Sequence, residues 1–163
     1  MDQKSAVERI CRLRGLDPSR AMLSILCRDI SQVAAFTRPL NNAVFRLLKR
    51  NLPGPFTFVL ESNQQVPKLF KNKKRTIGVR VPDHALLQAI LDELDQPMLT
   101  SSLKSQDDIQ EYYTDPQAIY DDFGKQVDLV IDGGVGGLAP STLVFCTGDE
   151  PELIRQGAGE LVW

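Results

Sequence analysis

The sequence predicts an α/β domain: a twisted, mixed parallel and antiparallel sheet with helices on its faces. Three observations predict it. Strand-like and helix-like runs alternate through the first two thirds of the 163 residues and strands cluster at the end, an order that suits a mixed sheet covered by helices. Apolar residues make up 42% and charged residues 25%, the balance of a globular chain with room for a core. No repeat, low-complexity tract or interdomain linker breaks the pattern, so residues 1–163 read as a single domain.

The elements follow in order. Val7, Ile10, Cys11 and Arg14 recur at helical spacing, and Gly15 and Pro18 are placed to end that helix. LSILC (23–27) reads as a short buried strand. Residues 41–51 put Val44, Leu47 and Leu48 on one helical face, with Asn41 or Asn42 as the cap. Pro53-Gly54-Pro55 breaks the helix before FTFVL (56–60), a strand by its β-branched and aromatic content. VPKLFKNKKR (66–75) reads as a helical turn followed by a basic loop. TIGVRV (76–81) is a strand ended by Pro82, and HALLQAILDEL (84–94) is an amphipathic helix through Leu87, Ile90, Leu91 and Leu94. PMLTS (97–101) is the next strand and 105–115 a polar loop. A helix opens at 115–123, with Asp115 as cap and Pro116 at the first helical position. VDLVID (127–132), STLVF (141–145) and ELIRQ (152–156) complete the series as strands.

No apolar run approaches the ~18–20 residues that span a bilayer, and no leader-like segment opens the chain. The sequence therefore predicts a cytoplasmic protein with no signal peptide and no membrane partner. Cys11, Cys27 and Cys146 are few, odd in number and far apart, which suits a reducing compartment. Together with the lone His84 they show no metal-ligand spacing, so no protein-bound metal is expected. His84 follows Pro82-Asp83 at a helix start and reads as a capping or surface residue; no nucleophile–base pair is present. DGGVGG (132–137) has neither the Walker lysine nor dinucleotide-binding spacing and reads as a flexible turn.

Charge is distributed unevenly. Residues 1–82 carry 16 Lys and Arg against 5 Asp and Glu, a balance of +11, and residues 83–163 carry 3 against 16, a balance of −13. Either the halves attract each other or the first half meets an anionic partner. Arg80 shares a strand face with Thr76 and Gly78, because side chains alternate. An arginine within an apolar strand is costly unless it is paired or bound to an anion. Arg155, in ELIRQG, poses the same question. With the hydroxyls of PMLTSSLKS (97–105), the two arginines would make an anion pocket at a sheet edge. Lys68, Lys71, Lys73, Lys74 and Arg75 place five cations in eight residues. That run is either a solvated face or a contact for a phosphate backbone; with Phe70 alone among them, base stacking is poorly supported.

LPGPFTFVL (52–60), TIGVRVPDH (76–84), PMLTSSL (97–103), DLVIDGG with PSTLV (128–144) and IRQGAG (154–159) together resemble the YrdC/YciO family, the threonylcarbamoyl-AMP synthase family. ERICRLRGL and SILCRD are closer to its YciO-like branch. The resemblance implies a YrdC-like fold with one cationic cavity. It also implies synthesis of threonylcarbamoyl-AMP from threonine, bicarbonate and ATP with Mg²⁺, serving threonylcarbamoyladenosine modification of tRNA. Members of the family also bind double-stranded RNA.

Carried over by position, the resemblance puts Arg80 on the threonine carboxylate, with Thr100, Ser102 and Thr142 at the substrate. It puts Thr76, Ser141, Arg155 and Arg14 at the nucleotide, where Lys104 could supply a further charge. Two motifs depart from the synthases: Lys-x-Arg is replaced by Arg14-Gly15-Leu16, and Ser-x-Asn by Ser102-Leu103-Lys104. The family also begins earlier, with a strand and a Tyr-Pro-Thr-type loop, so the chain is expected to be N-terminally truncated. Two other readings stand beside this one. The first is a non-catalytic, translation-associated protein binding double-stranded RNA or tRNA through Lys68, Lys71, Lys73, Lys74 and Arg75. The second is a fragment without function.

Overall fold

A computed structural model describes residues 4–17, 21, 23–66, 75–103 and 112–163. They fall into two compact units, Met1–Ser101 with Ser141–Trp163, and Ser102–Pro140.

The first unit contains the helices α1 (Lys4–Leu13), α2 (Ile30–Phe36), α3 (Asn42–Asn51) and α4 (Ala85–Leu94). Its strands are β1 (Ser24–Leu26), β2 (Phe56–Glu61), β3 (Thr76–Arg80), β4 (Met98–Thr100), β5 (Thr142–Phe145) and β6 (Glu152–Arg155). The strands form one sheet in the order β4-β1-β3-β2-β5-β6. β1 runs parallel to β3 and β2 parallel to β5, and the other three pairings are antiparallel. This is the mixed α/β sheet that the sequence predicts.

Strand alternation divides the sheet into two faces. On one, Ile25 and Cys27, Phe56, Phe58 and Leu60, Ile77 and Val79, and Val144 pack with Val33 of α2 and Val44, Leu47 and Leu48 of α3. Phe58 is fully buried there, and truncating such a side chain costs roughly 3–5 kcal/mol. Asn41 caps α3 as expected, its side chain accepting from the Val44 amide at 2.8 Å. His84 stands at the N-cap of α4 and is exposed, but its side chain makes no capping bond.

Two elements differ from the sequence reading. Helix α2 is absent from that reading because seven residues give too few turns for a periodicity to show. Its signal was local: the Asp29 side chain accepts from the Gln32 amide at 2.8 Å, and the Gln32 side chain accepts from the Arg28 amide at 2.8 Å. This is a variant of the reciprocal capping box. VDLVID (127–132), read as a strand, is irregular and does not join the ladder. Its Leu129 and Ile131 are 72% and 52% exposed. High β-propensity describes fit to a paired, half-buried surface, and this segment has neither the pairing nor the burial.

The second unit holds α5 (Pro116–Phe123). Asp115 caps it, accepting from the Gln117 amide at 2.9 Å, and Pro116 opens it as predicted. Tyr113 donates to Asp122 at 2.6 Å and packs edge-on against Phe123. No helix among the described residues is long and apolar enough to cross a membrane.

Candidate functional site

The second face of the sheet carries the polar residues. Register puts Leu26 of β1 opposite both Met98 of β4 and Arg80 of β3. It also puts Phe58 opposite Val79, so the next step along brings Thr57 opposite Arg80. Thr57 pairs with Leu143, and Leu143 with Arg155. Arg80, Thr57, Leu143 and Arg155 therefore form one cross-strand row. The neighbouring row contains Thr100, Ser24, Gly78 and Val59. Thr76 lies on the same face by alternation.

Arg80 is the electrostatic centre of this surface. It is half-buried, and its Nε is shielded from solvent with no hydrogen-bond partner among the described residues. Burial pulls its guanidinium below the ordinary arginine range, yet an arginine stays charged at any physiological pH. A buried donor of this kind costs free energy until an acceptor arrives. Gly78 is tied to the same spot. A Cβ there would collide with Ser24 Oγ and come 3.4 Å from Thr57 Cγ2, so glycine lets the two hydroxyl residues close over β3.

At the far end of the face, the Ser141 and Thr57 hydroxyls are 2.8 Å apart. Arg155 is exposed, and its Nη2 donates to the Ser141 carbonyl at 2.8 Å. Arg14, at the end of α1, donates from Nε to Ser101 Oγ at 3.2 Å, immediately after Thr100. The surface thus offers cationic and hydroxyl donors. It is suited to holding oxyanions, and none of these side chains is a base at neutral pH.

The structure gathers Arg80, Thr76, Thr100, Ser141 and Arg155 on this face, with Arg14 at its border. Thr142 is a different case. It pairs with Phe56 on the core face, is fully buried, and its hydroxyl is bonded to Gly157 and Gly159. Thr142 therefore has no hydroxyl left for a substrate, because parity along β5 sends Ser141 and Thr142 to opposite faces. Ser102 belongs to the second unit. Lys104, Lys68, Lys71, Lys73 and Lys74 lie outside the described residues. Arg75 precedes β3 with a left-handed φ of 52°, and its carbonyl accepts from the Ser62 hydroxyl at 2.9 Å. Ser24 and Thr57 were missed by the sequence reading. Each is a lone polar residue in an apolar strand, the same signal that singled out Arg80.

Comparison with known proteins agrees with the fold. The Sua5/YciO/YrdC family model, described as "Telomere recombination", matches residues 1–157. The chain belongs to that family. It is 40% identical to the "Uncharacterized protein YciO" of Escherichia coli K12 over 99% of its own length and 77% of the relative's. The crystal structure of E. coli YciO superposes with a TM-score of 0.89 over 98% of this chain and 76% of that one. More distantly, the chain is 29% identical to the threonylcarbamoyl-AMP synthase of Marinobacter nauticus over 82% of its length and 70% of the relative's. Sua5 of Pyrococcus abyssi, solved in complex with L-threonine, superposes with a TM-score of 0.81 at 25% identity, over 95% of this chain and 45% of that one.

Proposed function

We propose that this chain binds ATP or a related adenylate together with threonine, as a YciO-like member of the threonylcarbamoyl-AMP synthase family serving threonylcarbamoyladenosine modification of tRNA. The observation that carries the reading is Arg80. Its Nε, shielded and without a partner among the described residues, sits among the hydroxyl residues of one sheet face. Relatives named as threonylcarbamoyl-AMP synthases, and the threonine complex of P. abyssi Sua5, support the choice of ligands.

In this reading Arg80 receives the threonine carboxylate in a charge-assisted hydrogen bond. Ser24, Thr57 and Thr100 donate around it. Thr76, Ser141, Arg14 and Arg155 meet the nucleotide, with Arg155 on the phosphates. In this reading Mg²⁺ would be carried by the ATP phosphates. Cations aimed at the departing pyrophosphate stabilise the charge that develops on it, and removing one such donor commonly costs ~10²–10³ in rate. Leu16 stands where the synthases carry their second cation, so turnover is expected to trail that of a synthase by about that factor.

Calorimetry with ATP, Mg²⁺ and threonine tests the reading. Saturable binding that disappears in Arg80→Ala is the expected result. A folded wild-type protein that takes up no nucleotide overturns it.

A further inference from the structure

We infer that Thr142 is the positioning residue for Arg155, acting through the turn that follows β6. The inference rests on the phosphate role proposed above for Arg155.

The Thr142 hydroxyl is fully engaged. It accepts from the Gly157 amide at 2.9 Å and the Gly159 amide at 3.1 Å, and donates to the Gly159 carbonyl at 2.5 Å. That uses both lone pairs and the only proton. The Phe56 ring, beside Thr142 on the same sheet face, packs against the same turn. A Cβ on Gly159 would lie 2.5 Å from Phe56 Cζ, and Phe56 is buried, so a glycine is needed there. The turn is therefore clamped onto the sheet by a hydroxyl and a ring, and the Gln156 side chain closes it by donating to the Gly159 carbonyl at 2.7 Å.

Arg155 is the last residue of β6, directly before this turn. β6 is a four-residue edge strand with every residue exposed, and its ladder to β5 is interrupted between Leu143 and Val144. Such a strand has little of its own to fix a long side chain. The clamp supplies the anchor. It holds the chain so that Arg155 Nη2 reaches the Ser141 carbonyl beside the Ser141–Thr57 hydroxyl pair. Valine matches threonine in shape but would take the hydroxyl acceptor from the Gly157 and Gly159 amides, leaving the Gly159 carbonyl to Gln156 alone.

Thr142→Val, Thr142→Ser, Arg155→Ala and the Thr142→Val/Arg155→Ala double variant test this. By NMR, the wild type is expected to show exchange-protected Gly157 and Gly159 amides and a resolved Arg155 guanidinium N–H signal from the Nη2 bond to Ser141. Thr142→Val should lose all three while the rest of the spectrum persists, and Thr142→Ser should restore them. With ATP as the probe, Thr142→Val and Arg155→Ala should each weaken binding about tenfold, the scale of a hydrogen bond to a charged group. The double variant should be no weaker than Arg155→Ala.

Retention of the Arg155 signal in Thr142→Val, or losses that multiply in the double variant, overturns the inference. If Thr142→Val does not fold, the wild type decides: unprotected Gly157 and Gly159 amides overturn the clamp. If the wild type binds no ATP, the phosphate role of Arg155 fails, and the NMR arm still decides whether Thr142 positions it.

Discussion

At the scale of single residues, the site is organised by one unmet donor. Arg80 Nε is shielded and unpartnered among the described residues, so the ligand-free protein carries a cost that a ligand oxyanion would remove. Arg80→Met keeps much of the apolar stem and deletes the donor. It is expected to raise the stability of the ligand-free protein by about 1–2 kcal/mol while abolishing ligand binding, with urea denaturation as the measurement. Arg80 was legible in the sequence because a charge inside the apolar strand TIGVRV needs a partner or a bound anion. Thr142 was not. Parity within a strand can be read from sequence, but which parity faces Arg80 depends on register between β3, β2 and β5. Ser141 and Thr142 look equivalent until that register is known.

At the scale of elements, a few buried polar contacts fix how segments meet. The Asn51 side chain, at the end of α3, donates to the carbonyls of Leu47 and Val162 at 2.8 Å each and accepts from the Val162 amide at 2.9 Å. Asn51→Ala strands those groups, and is expected to cost about 1–3 kcal/mol, read as a fall in thermal midpoint of several degrees. Gly159→Ala drives a methyl against the buried Phe56 ring, and should cost about 1–3 kcal/mol by overpacking in the same assay. Long periodic elements such as α3 and α4 were legible from their apolar spacing. The short α2 was marked only by Asp29 and Gln32. VDLVID had the composition of a strand but no strand beside it among the described residues, and composition alone cannot report pairing.

At the scale of the whole molecule, burial also sets the response to alkaline pH. Cys27 and Cys146 are pushed from their ordinary 9.0 up to about 12, mainly by desolvation. Above pH 9 the unfolded chain sheds thiol protons that the folded chain keeps. The stability these thiols contribute is therefore full below about pH 9 and declines as pH rises toward 12. A Cys27→Ala/Cys146→Ala variant should show a shallower loss of stability between those values than the wild type, measured by denaturant titration at a series of pH values. An equal slope would contradict it.

The family and its sheet follow from the order of motifs along the chain. The proposed function turns on whether the face around Arg80 holds threonine beside a nucleotide. Equilibrium dialysis of labelled L-threonine, with ATP and Mg²⁺ present, tests this most directly in the wild type and in Arg80→Ala. The account predicts saturable uptake by the wild type and none by the variant. Equal uptake by both, or none by a folded wild type, would contradict it.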